Sequence, residues 1–200
     1  MSDEIRQIGI FLFPDVEELD AVGPWEVLSY WARNFPEDGF AVSTFSLDGE
    51  MVVCAKGLRI TPDWSFGSMP RLHVLLYPGG QGTRPHLKNP EQLEWVRAQR
   101  KTVPLMTSVC TGSLVFAAAG LLANRPATTH WASLDLLQSL DPTIDVRRED
   151  ERFVDDGDVI TSAGVSAGID MALHLVDRLA GTERARQVRR GIQYDPLPPI

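Results

Sequence analysis

Residues 103–122 read Val-Pro-Leu-Met-Thr-Ser-Val-Cys-Thr-Gly-Ser-Leu-Val-Phe-Ala-Ala-Ala-Gly-Leu-Leu. The first seven form a short, mostly apolar run of strand length, and the last ten are Ala- and Leu-rich in a helical pattern. The join is Cys110-Thr111-Gly112-Ser113. A strand buried on both faces that passes straight into a helix is the building unit of a parallel sheet covered by helices.

The same unit recurs outward from this point. Residues 73–77 (His-Val-Leu-Leu-Tyr) are a second buried strand, closed by Pro78-Gly79-Gly80-Gln81-Gly82 and followed by a helix over 90–101. Residues 8–13 are a third, ending at Phe13-Pro14. The periodic residues Val27, Leu28 and Trp31 predict a helix entered through Gly23-Pro24. Residues 40–47 alternate like a strand with one polar face. Residues 51–60, broken at Lys56-Gly57, predict a hairpin appended to the sheet, and residues 152–160 a second one turning at Asp156-Gly157. Gly164 to Gly168 open a helix patterned by Ile169, Leu173, Val176 and Leu179, and another helix covers 185–193. The tail from Pro196 to Pro199 cannot continue it. Together these predict one α/β domain over residues 1–200. Its expected form is a flavodoxin-like three-layer sandwich, a mostly parallel sheet flanked by helices on both faces.

The 200 residues suffice for one such core, with 44% hydrophobic and 23% charged residues. A net charge of -8 argues against nucleic acid, whose binding needs a concentrated basic patch. The one basic run, Arg184 to Arg190, reads as a solvated helix face. No apolar run approaches the ~20 residues of a bilayer span, so no membrane partner is expected. The acidic start, Met-Ser-Asp-Glu, is unlike a signal peptide. Two well-separated cysteines suggest neither a disulfide framework nor a zinc site. A reducing cytoplasmic setting, with no metal and no organic cofactor, is the expectation.

In open α/β sheets, ligands bind at the carboxyl ends of the strands. Cys110 stands at one such end. A sharp turn would expose its sulfur, and the following helix N-terminus favours the thiolate. A small cysteine packed at a strand end is the competing reading, and the local sequence leaves both open. Gly79 and Gly80 offer backbone N–H groups able to stabilise a developing negative charge, or merely a tight turn. Glu17-Glu18-Leu19-Asp20 supplies a carboxylate that is either an acid/base or an ordinary acid at a helix start. His130, in Thr128-Thr129-His130-Trp131, is catalytic or structural. Cys54 reads as structural.

Taken together these pieces resemble the ThiJ/PfpI superfamily, relatives of the class I glutamine amidotransferases. The resemblance rests on Phe13-Pro14 through Asp20-x-x-Gly23-Pro24, on Pro78-Gly79-Gly80, on the cysteine turn and on Ala127-Thr128-Thr129-His130-Trp131. Within it, residues 107–114, Leu12-Phe13-Pro14 with Leu19-Asp20, and Tyr194-x-Pro196-x-Pro198-Pro199 are similar to the isocyanide hydratases. That resemblance implies Cys110 as nucleophile, Asp20 as acid/base and Thr111 as an assisting hydroxyl. It further implies Gly79, Gly80, His130 and Trp131 around the substrate, and a homodimer acting on a small molecule. The implied activity is cofactor-independent hydration of an isocyanide to an N-substituted formamide through a Cys110 thioimidate. Superfamily members described as peptidases carry His after the cysteine; Thr111 stands there instead, which argues against proteolysis. Two alternatives stay open: a glyoxalase- or deglycase-like enzyme for small aldehydes, and a ligand- or redox-sensing domain without catalysis. AraC-type regulators with such a domain continue into a DNA-binding region, whereas this sequence stops at Ile200. Trp25, Trp131 and Val165 are the candidates for pocket walls.

Overall fold

Three strands of the molecule are apolar along almost their whole length because both faces of the sheet they share are covered. A computed structural model describes residues 5–148 and 151–196. The acidic first four residues and most of the Pro-rich tail lie outside the described residues.

In chain order the elements are β1 (Arg6–Phe11), α1 (Glu18–Asn34), β2 (Phe40–Ser46), β3 (Val52–Val53), β4 (Arg59–Ile60), β5 (Trp64–Ser65) and β6 (Leu72–Tyr77). Next come α2 (Thr83–His86), α3 (Pro90–Thr102), β7 (Leu105–Val109), α4 (Gly112–Ala118), β8 (Pro126–Ala127) and α5 (Leu134–Leu140). The chain closes with β9 (Asp145–Val146), β10 (Phe153–Asp155), β11 (Val159–Ser162), α6 (Ala167–Ala180) and α7 (Thr182–Gly191). Seven strands form the central sheet in the order β10-β11-β7-β6-β1-β2-β5. Every pairing is parallel except β10 with β11. Helices α1, α6 and α7 pack on one another, while α2, α3 and α5 gather around α4. The predicted sandwich of a mostly parallel sheet between helices is the observed fold.

From β1 the chain runs outward to β2 and then returns to place β6 on the other side of β1. The sheet order therefore reverses between β1 and β6, and such a switch point opens a crevice at the strands' carboxyl ends. The three sequence features singled out above, following β1, β6 and β7, all emerge at this end. Below it Ile8, Ile10, Leu75, Leu76 and Met106 are fully buried. Phe11, Phe45, Tyr77, Phe66 and Trp95 form an aromatic cluster, with Phe66 stacked on Trp95 at 4.1 Å between centroids.

Three expectations need correction. Gly23-Pro24 does not start the first helix: α1 begins at Glu18 and carries Pro24 inside it. Proline removes one intrahelical donor, but packing of α1 against α6 holds the helix through that position. Asp20 therefore lies in the first turn of a helix rather than in a loop. The hairpin over 51–60 forms, but as a separate ribbon of β3 and β4. It docks on the β1–α1 turn through Ala55 N–H to Val16 O (2.9 Å) and Asp15 N–H to Val53 O (3.0 Å). The polar residues of β2 face inward: Ser43, Thr44 and Ser46 are buried. Thr44 is satisfied by Asp63, whose Oδ2 accepts from its N–H at 2.8 Å and its hydroxyl at 3.0 Å.

Leu76 sits at the centre of β6 with no exposed surface. Leu76→Ala is expected to cost about 2–5 kcal/mol through lost burial and the cavity left behind, read as a fall in the urea midpoint at unchanged m-value.

Candidate active site

Cys110 occupies a backbone conformation that only its surroundings can hold. Its φ is +55°, left-handed for a non-glycine residue, and such strain costs of order 1–3 kcal/mol. Hydrogen bonds on both sides of the residue fix it. Its N–H donates to Ser162 O (3.0 Å) and Ala163 O (3.1 Å) at the end of β11. Its carbonyl accepts from the hydroxyls of Thr129 (2.8 Å) and Ser113 (3.1 Å). The turn lifts the side chain out of the sheet into the crevice, where 6% of the residue stays exposed.

Asp20 lies behind the sulfur, with no exposed surface. Its Oδ2 accepts the Gly79 N–H at 2.9 Å. Its Oδ1 has no hydrogen-bond partner of its own and is available to the Cys110 thiol, with which the carboxyl interacts. A side chain at Gly79 is impossible here: a Cβ would stand 2.6 Å from Thr111 N and 2.8 Å from both Asp20 Oδ2 and Cys110 Cβ. The glycine lets three segments converge on one point.

Burial dominates the electrostatics. It pushes Asp20 from 3.8 to about 7, with Glu17 adding repulsion and the Gly79 N–H pulling the other way. Burial likewise pushes the Cys110 thiol up to about 12, and the Asp20 carboxylate adds to the rise. The N–H groups of Thr111 and Val165 oppose this but do not win. The sequence reading of a thiolate favoured by the helix N-terminus is therefore corrected. A terminal dipole acts over about one turn and is worth roughly a kcal/mol or less; desolvation of a charged sulfur costs more.

The two glycines of the loop are occupied within the protein, since the Gly80 N–H donates to Thr111 Oγ1 at 3.0 Å. The Thr111 hydroxyl faces the Gly80 carbonyl (3.2 Å) and the Thr83 hydroxyl (3.1 Å), and Thr83 Oγ1 also donates to Gly80 O (2.7 Å). Gly80 has φ +120°, which its lack of a Cβ permits. The N–H groups directed at the sulfur belong instead to Thr111 and Val165. Val165 holds φ +51°, a genuine outlier for a β-branched residue.

Above the sulfur is a cleft of about 270 Å³, lined among others by Glu17, Ala55, Gly80, Arg84, His130 and Val165. His130 also faces a second hollow of about 480 Å³ beside it, lined by Thr128, Trp131, Leu134 and Val165. The His130 Nδ1 accepts the Ala132 N–H at 3.2 Å, which leaves its other nitrogen to carry the proton of the neutral ring. Trp131 is 78% exposed and flanks the second hollow rather than the sulfur. Trp25 belongs to a different hollow on α1, and Cys54 is buried in the ribbon turn. Sequence reasoning missed Arg84, Thr83 and the Val165 N–H.

A model of the DJ-1/PfpI family matches residues 6–178. The chain belongs to this family. It is 40% identical over 194 residues to the isonitrile hydratase of Pseudomonas putida, covering 97% of this chain and 81% of that protein. It is 32% identical over 154 residues to the HTH-type transcriptional regulator GbdR of Pseudomonas aeruginosa, covering 77% of this chain but only 41% of the regulator. A ThiJ/PfpI family protein from Pseudomonas syringae has the same fold in its crystal structure, with 33% identity and a TM-score of 0.86. That match covers 98% of this chain and 77% of the other. No helix among the described residues is long and apolar enough to cross a membrane.

The raised Asp20 pKa has a consequence for stability. The carboxyl ionises near 3.8 when unfolded and near 7 when folded. Stability therefore falls as pH rises across that window. Asp20→Asn removes the ionisation, so the variant should gain on wild type by on the order of 3 kcal/mol between about pH 4 and pH 8. Urea unfolding at the two pH values measures this, and a pH-independent difference would place Asp20 in an ordinary solvated state.

Proposed function

We propose that the chain is a cofactor-independent enzyme that hydrates an isocyanide to an N-substituted formamide, with Cys110 as nucleophile and Asp20 as proton carrier. The observation that carries the reading is the buried Asp20–Cys110 pair at the floor of the cleft. The 40% identity to an isonitrile hydratase supports the reaction class.

A thiol held near 12 does not ionise on its own at neutral pH. The Asp20 carboxylate takes its proton as the sulfur attacks the terminal carbon of R–N≡C, forming the C–S bond. Asp20 then hands that proton to the same carbon, giving the thioimidate R–N=CH–S–Cys110. Water adds next, its hydroxyl to carbon and its proton, through Asp20, to nitrogen. Collapse of the tetrahedral adduct breaks the C–S bond, returns a proton to sulfur and releases R–NH–CHO. The sum is addition of one water, with no redox change. A proton carrier with pKa near the working pH is the efficient one, and about 7 meets that condition. Thr111 has the role of positioning the Gly80 loop and presenting its N–H to the sulfur. His130 is a cleft wall able to orient water or substrate.

A homodimer in a reducing cytoplasm belongs to the same reading. Light scattering should report the mass of two chains.

Formamide production from an aromatic isocyanide tests the reaction. Wild type should turn over, Cys110→Ser should not, and Asp20→Asn should lose roughly 10²–10⁴-fold. The wild-type kcat/KM should rise with pH through about 7, where the carboxylate that accepts the thiol proton forms. A folded wild type that makes no formamide would remove the hydratase reading and make methylglyoxal the next substrate to try.

A further inference from the structure

The cleft over Cys110 contains a cation for which the chemistry above has no use. Arg84, on α2 directly after the Pro78-Gly79-Gly80 loop, lines it together with Cys110, Thr111 and His130. Among the described residues its Nη1 is buried without a hydrogen-bond partner. Its Nη2 reaches the Ser133 hydroxyl at 3.5 Å. Other arginines behave differently: Arg125, Arg152, Arg178 and Arg184 each hold an aspartate. Glu17, the acid in the same cleft, is already taken by Lys56.

A guanidinium N–H buried without a partner is costly, although the rest of the Arg84 side chain is only half-buried. Its planar fork of donors matches a carboxylate bidentately. We propose that Arg84 receives a carboxylate of the substrate, so that the preferred substrates are small isocyanides carrying a carboxylate close to the –N≡C group. The cleft, at about 270 Å³, suits a compact molecule that presents its isocyano carbon to Cys110 and its anionic end to Arg84. This assignment rests on the hydratase reading and adds to it the class of substrate.

The test compares isocyanoacetate with its neutral counterpart isocyanoacetamide in wild type, Arg84→Gln and Arg84→Lys. The readout is the ratio of kcat/KM for the acid to that for the amide within each protein. A partial loss of folded enzyme leaves this ratio unmoved. Wild type should favour the acid. In Arg84→Gln the ratio should fall at least about 10-fold, as expected for the loss of a charge-assisted hydrogen bond, with the change mostly in KM. Arg84→Lys should keep part of the preference. Hydration of both substrates at a ratio that Arg84→Gln does not change would overturn the proposal while leaving the hydratase reading standing. If wild type hydrates neither, calorimetric binding of N-formylglycine decides the anion site separately. Binding weakened at least about 10-fold by Arg84→Gln upholds the site without the reaction; equal or absent binding ends the anion site, while the aromatic isocyanide assay decides the reaction.

Discussion

A carboxyl and a thiol are buried against each other at the floor of the Cys110 cleft, and neither ionises at its usual pH. Asp20 is held near 7 and Cys110 near 12 because water is excluded from both, with Glu17 repelling the Asp20 charge and the Asp20 carboxylate repelling charge on the sulfur. A lone ionised carboxylate would not survive in that position without partners. One N–H, from Gly79, serves it, and the thiol of Cys110 is the other group it interacts with. This is the arrangement on which the proposed proton transfer relies.

Much of the local architecture exists to keep that pair assembled. Gly79 has no room for a methyl group among Asp20, Cys110 and Thr111. The strained Cys110 backbone is tied to Ser162, Ala163, Thr129 and Ser113, which over-determines a conformation the chain would otherwise leave. Five segments distant in sequence meet there, and the parallel sheet supplies the frame. The switch between β1 and β6 brings α1 and the glycine loop side by side, and β7 delivers the cysteine next to them. Cys110 so belongs to the core at one end and to the cleft at the other, with Asp20 buried behind it.

The sequence made the sheet legible because strands covered on both faces must be apolar throughout, and residues 8–13, 73–77 and 105–109 carry that signal. It also placed Asp20 near the cysteine by resemblance and left open whether it starts a helix, while expecting the helix to be entered at Gly23-Pro24. The proline rule is local, and packing of α1 on α6 overrode it at Pro24. The thiol's state was misjudged for a related reason: a helix terminus is visible in sequence, whereas burial is a property of the assembled fold. The Val165 N–H is backbone and has no side-chain signature at all. Arg84, between a threonine and a proline after a glycine loop, looks like any surface cation until the fold shows that no acid among the described residues pairs with it.

The proposed hydration requires a covalent bond between Cys110 and the isocyanide carbon. Rapid acid quench during turnover, followed by mass spectrometry of the peptide containing Cys110, tests that bond directly. A transient gain equal to the mass of the intact isocyanide is expected on Cys110. Rapid formamide release with the Cys110 peptide unmodified at every time point would contradict it.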